Sequence, residues 1–112
     1  MMSKPIITKQ MLLDAKACDP HNIKLFERTF GDSVVMTVAK AREVAGPFNS
    51  VESFWKWAAI EFLDDEAQAE YDRDIDAGVK EYFQTHSLLE FHRTVAAAFA
   101  KAFIAMHKRS NA

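Results

Sequence analysis

Residues 64–107 read DDEAQAEYDRDIDAGVKEYFQTHSLLEFHRTVAAAFAKAFIAMH, and this stretch decides the fold. Ala67, Tyr71, Ile75, Gly78, Val79 and Tyr82 recur at the three- and four-residue spacing of one helical stripe, with acids on the other faces. Asp64, Asp65 and Glu66 crowd its first turn, where the helix dipole favours anions. Leu88, Phe91, Val95, Phe99 and Met106 form a second stripe, with alanines at 96, 97, 98, 100, 102 and 105 between them. Side chains that small let another helix approach closely. Ser87 and Glu90 carry a capping-box signature, so a break or kink is expected between Thr85 and Ser87. The alternative is one helix continuing to His107. Tyr71 and Tyr82 recur eleven residues apart in similar contexts, Glu70-Tyr71 and Glu81-Tyr82, an interval that suits a nearly straight helix.

Immediately upstream, Ser50 to Leu63 predicts a helix opened by Asn49, with Glu52 as its capping-box partner. Val51, Phe54, Trp55, Ala58 and Phe62 share one face, and Trp57 and Ile60 lie off it. Trp55 and Trp57 are about 200° apart by the helical repeat, so they point different ways. A helix apolar on most sides is expected to be central. The competing reading places one tryptophan at the surface as an interface anchor.

Nearer the N-terminus, Thr8 reads as the cap of a first helix, with Ile7 stapling onto Leu12 and with Met11, Leu12 and Ala15 as its stripe. Asp19-Pro20 opens a second helix that turns Ile23, Phe26 and Phe30 inward and stops at Gly31. Ser33 to Val38 favours extended backbone, but a single short strand there has no evident partner. An extended linker is expected, then a short helix from a Thr37 cap through Ala45, ended by Gly46-Pro47. The expected fold is all-α: one domain over residues 1–112, a compact bundle of five to six helices, with the last two long and either separate or continuous.

Composition narrows the function classes. A chain of 112 residues fits one domain with a modest core. At 49% hydrophobic and 27% charged it is not expected to be disordered, and three Gly with three Pro disfavour a loop-rich or all-β fold. Cys18 is the sole cysteine, which excludes an internal disulfide and a four-cysteine zinc site. No signal peptide is visible in Met1 to Gln10, and Val95 to Met106 is too short to span a bilayer and holds Lys101. A cytoplasmic protein is expected. The net charge is −2, but its distribution is uneven: acids dominate from Glu61 to Glu90, and only bases follow Arg93.

No constellation carries chemistry. Asp72, Asp74 and Asp76 alternate like the start of a calcium loop, but the sixth position is Ala77 where glycine is needed and the twelfth is Phe83 where glutamate is needed. A solvated helix face fits better. Cys18 and His21 make half a metal site at most, and a buried structural cysteine is the better reading. His86 and Glu90, four apart, read as a capping or surface contact, and the scattered glycines form no phosphate loop. Neither a cofactor nor a metal is expected. Thr37 to Phe62 loosely resembles a helix-turn-helix, but the reading helix, Ser50 to Lys56, offers one base, one acid and bulky aromatics. Nucleic acid is thus a disfavoured partner. The carboxylates between Asp64 and Glu81 suit docking on a basic protein surface, against the plainer reading that they only solubilise the helix.

Ala17-Cys18-Asp19-Pro20, Leu25-Phe26-Glu27-Arg28-Thr29-Phe30-Gly31 and Trp57-Ala58-Ala59 resemble small helical accessory proteins common in bacteriophages and prophages. Ala69-Glu70-Tyr71 and Glu81-Tyr82 are similar to the tyrosine-bearing helical repeats of those proteins, and Phe54-Trp55-Lys56-Trp57 is richer in aromatics than their pattern. The likeness covers most of the chain and transfers no catalytic residue. It implies a protein that acts in the host cytoplasm by binding host proteins, defence complexes included. The expected function is therefore a non-enzymatic interaction module that binds or inhibits a host protein. Its expected contact residues are Glu70, Asp72, Asp74 and Asp76, with Trp57 as an anchor. A homodimer through the alanine-rich helix is a further expectation, and a DNA-binding regulator is the alternative function.

Overall fold

The computed structural model describes residues 5–15, 20–44 and 52–110. In chain order these form β1 (Ile6–Thr8), α1 (Lys9–Asp14), α2 (Pro20–Phe30), β2 (Ser33–Val35), α3 (Val38–Val44), α4 (Glu52–Phe62), α5 (Asp65–Thr85) and α6 (Leu88–Ser110). The protein is mostly helical, and α5 and α6 are the two long helices.

The break between them is where the capping signature placed it. His86 ends α5 in the left-handed region at φ 55°, its N–H donating to the Tyr82 carbonyl. Ser87 then opens α6, its Oγ accepting from the Glu90 N–H at 3.2 Å. The reciprocal half of the box goes elsewhere: the Glu90 carboxylate accepts from Arg42 on α3 at 2.6 Å. The expected His86–Glu90 contact is thus replaced. The helix break separates the two residues, and the His86 ring meets Tyr82 edge-on instead.

Chain reversal lays α6 antiparallel on α5, with Tyr82 against Phe91 near the turn and Asp64 against Arg109 at the far end. At Gly78 the two approach closely: a Cβ there would stand 2.8 Å from Thr94 Cγ2. The alanines of α6 serve the same approach. Ala96, Ala98, Ala100 and Ala102 are buried within the chain, beneath α5, α3 and α4. That packing takes up these four alanines of the surface assigned above to a second copy and leaves Ala97 and Ala105 half-buried.

The central helix is α6, not α4. Ile60 on α4 is 64% exposed, whereas Phe99 and Phe103 are fully buried on α6 and stack at 5.6 Å. Fully burying a side chain of that size stabilises by roughly 1.5–3 kcal/mol. Trp55 packs on Phe99 at 5.6 Å and is buried, as its face of the helix predicts. The stripe read from the sequence omitted Phe103, because a step from Phe99 straight to Met106 passes over the equally valid fourth residue.

Ser33 to Val38 is not a linker throughout. Ser33–Val35 pairs antiparallel with Ile6–Thr8, in the register Ile6 to Val35, Ile7 to Val34 and Thr8 to Ser33. Three residues are too few to show alternation, and the partner lies across two helices in sequence. Alternation sends Ile7 and Val34 into the core and leaves Ile6 and Val35 outside. Thr8 then caps α1: its Oγ1 accepts from the Met11 N–H, while its own N–H donates to Met11 Sδ. Ile7 and Leu12 are both fully buried, as the staple requires. Gly31 closes α2 at φ 78°, and Thr37 Oγ1 caps α3 through the Lys40 N–H. The Asp19 cap, Ala45, the Gly46-Pro47 stop, the Asn49 cap and the Glu52 side chain lie outside the described residues.

Candidate partner-binding surface

The four acids expected to make contact divide between two faces of α5. Each residue turns the helix by about 100°, so Asp72 and Asp76 share one flank, about 40° apart. Glu70 and Asp74 share the other, with Glu81 between their directions, and Arg73 and Lys80 occupy the back of the helix that separates the flanks. Asp72 and Asp76 are exposed, Glu70 and Asp74 half-buried.

The fold engages some carboxylates and leaves others. Asp64 caps α5, accepting from the Ala67 N–H at 2.8 Å. That backbone N–H, helped by Arg109, holds the Asp64 carboxyl below the usual carboxylate range. Arg109 also reaches Glu66 at 3.0 Å, so the end of the basic tail folds back onto the acidic start of α5. Glu90 is likewise held low by Arg42, then by Arg93. Asp74 faces Lys101 of α6 at 3.6 Å. Glu70, Asp72, Asp76 and Glu81 take part in no ion pair among the described residues.

Beside Gly78, where α5 and α6 converge under α3, an open groove of about 270 Å³ remains. Its floor is Ala77, Gly78, Ala97 and Ala98, and Val38 of α3 forms a wall. Arg42, Asp74, Glu81 and Lys101 rim it. The groove joins the Glu70–Asp74–Glu81 flank, not the Asp72–Asp76 flank. The sequence reading missed it because it needs α3 and the hairpin register together.

Trp57 belongs to α4. It is half-buried against the core, its ring meeting Phe62 edge-on at 5.5 Å. Burial of Trp55, in the middle of the helix read as a DNA reader, turns that face inward. The side chains of Ser50 to Phe54 and of Lys56 lie outside the described residues, as do Cys18 and the His21 side chain. Among the described residues, no group of three or more acids, histidines or cysteines gathers as a metal site, and no helix is long and apolar enough to cross a membrane. Tyr71 lies buried under the acidic helix, and burial pushes its phenol up to about 12.

No family model, no curated protein and no solved structure matches the chain.

Proposed function

We propose that this chain is a non-enzymatic interaction protein that docks α5 carboxylates on a basic surface of a host protein and inhibits it. The single observation carrying this reading is the division of acids just described. Asp64, Glu66, Asp74 and Glu90 are engaged by the fold, whereas Glu70, Asp72, Asp76 and Glu81 make no ion pair among the described residues. Asp72 and Asp76, four apart, repel each other at a cost of about 0.2–0.5 kcal/mol, a strain that a partner's cation relieves. The resemblance to phage and prophage accessory proteins supplies the setting: a bacterial cytoplasm, with host defence proteins as the target class. Replacing Glu70, Asp72 and Asp76 together with lysine tests the proposal. Partner binding is expected to vanish while helicity is kept, and unchanged binding would sink the idea.

A further inference from the structure

We infer that the groove between α3, α5 and α6 receives an apolar side chain of a basic partner segment, one flanking Arg or Lys meeting Glu81 and another, farther along the same flank, meeting Glu70. The inference rests on the reading of α5 as the docking helix and decides which of its flanks docks.

Close approach at Gly78 creates the groove. The missing side chain draws α5 onto Thr94, and the neighbouring alanines Ala77, Ala97 and Ala98 are too short to fill the wedge that opens beside the crossing. The helix α3 covers one side only, and its Val38 remains 38% exposed on the wall. Pockets that take whole small molecules run to about 300–1,000 Å³. At about 270 Å³ and open to solvent, this recess suits one inserted side chain.

The rim selects the sign of the partner. Arg42 is held by Glu90 at 2.6 Å, and Lys101 faces Asp74 at 3.6 Å. Glu81 has no counter-ion among the described residues, and Glu70 continues the same flank one turn beyond Asp74. Glu90 is shared by Arg42 and Arg93, so the one lining charge without a counter-ion among the described residues is the negative Glu81. That pairing of an apolar recess with free carboxylates is complementary to a segment carrying a leucine-like residue between bases. The Asp72–Asp76 flank has acids but no recess.

Two synthetic helical peptides test this on the full, isotope-labelled chain. Both carry the same arginines; one has a leucine face and the other has serines in place of the leucines. The leucine peptide is expected to bind about tenfold tighter, the ratio that burying one leucine supports. It should shift the amides of Ala77, Gly78, Thr94 and Ala98. Ala77→Phe fills the recess from an exposed helical position and should erase the preference, as should Ala97→Leu. Circular dichroism checks that both variants stay folded. Arg73→Gln, at an exposed position on the back of α5 outside both flanks, should leave the preference intact. Equal binding of both peptides, or shifts centred on Asp72 and Asp76, overturns the groove while the acidic-docking reading stands. Failure of both peptides to bind overturns both. A dimer in sedimentation without peptide, dispersed by Ala77→Phe, assigns the groove to a second copy and also overturns the inference.

Discussion

Arg109, near the end of α6, donates to both carboxylate oxygens of Asp64, at 3.0 and 3.3 Å. Asp64 and Arg109 stand equally far in residues before His86 and after Ser87, so the pair marks the register of the hairpin. The carboxylate also caps α5, so one side chain closes both helix ends. Arg109→Ala should therefore loosen the first turn of α5 and the last turn of α6 together. Hydrogen exchange should quicken at both ends while amides around Phe99 stay protected. High salt should shrink the difference, because exposed pairs are screened.

The lowered Asp64 and Glu90 carboxyls set an acid limit. Folded values below the unfolded ones mean that their stabilisation is complete above the ordinary values of 3.8 and 4.5. It is lost as pH falls through the lowered values. Melting temperature should begin to fall below about pH 4, modestly because both carboxyls are exposed, and Asp64→Asn should lessen that fall. At the other extreme, Tyr71 is raised from 10.0 to about 12, so its contribution is present below 10.0 and lost as pH rises through about 12. Absorbance titration should show one tyrosine ionising late, and Tyr71→Phe should remove that step.

Gly78→Ala should destabilise, although an exposed helix would gain roughly 1 kcal/mol from the same change. The new Cβ would meet Thr94 Cγ2 at 2.8 Å, on a stiff β-branched side chain. Overpacking costs about 1–3 kcal/mol and outweighs the propensity gain. Thr94→Ser removes the clashing methyl, so the double variant should recover most of the loss in a urea melt. Additive effects of the two substitutions would contradict the close approach.

His86→Gly should raise stability by a few tenths to about 1 kcal/mol, because glycine takes the left-handed φ without strain. Loss of the ring contact with Tyr82 offsets part of that gain. His86→Val should lower the melting temperature.

The two exposed-versus-buried phenylalanines separate core from surface. Phe103→Ala leaves a void beside Phe99 and should cost about 3–5 kcal/mol, a large share of a small domain's stability. Phe83 is 69% exposed, and Phe83→Ala should stay within about 0.5 kcal/mol. Chemical denaturation of the two variants gives both values.

Local signals in the sequence were sufficient wherever one residue and its near neighbours decide the outcome. The Thr8, Thr37 and Ser87 caps, the Gly31 stop, the Ile7–Leu12 staple and the break before Ser87 are all of that kind. Features that depend on distant partners were not legible. The β1–β2 pairing joins segments on either side of two helices, and α6 displaces α4 as the centre because alanines admit three neighbours at once. The acids illustrate the same divide at the site. Their number was plain, but helical geometry splits them, and only the hairpin register shows which meet Lys101 or Arg109. That register follows from the break at His86 once α5 and α6 are folded back on each other.

The central claim is that free α5 carboxylates bind a basic host protein. Side-by-side capture from bacterial host lysate tests it most directly, using the native chain and the Glu70, Asp72 and Asp76 lysine variant at matched helicity, with bound proteins quantified at low and high salt. The account predicts a host protein retained by the native chain, absent from the variant and released as salt rises. The same proteins at equal levels on both, or retention indifferent to salt, would contradict it.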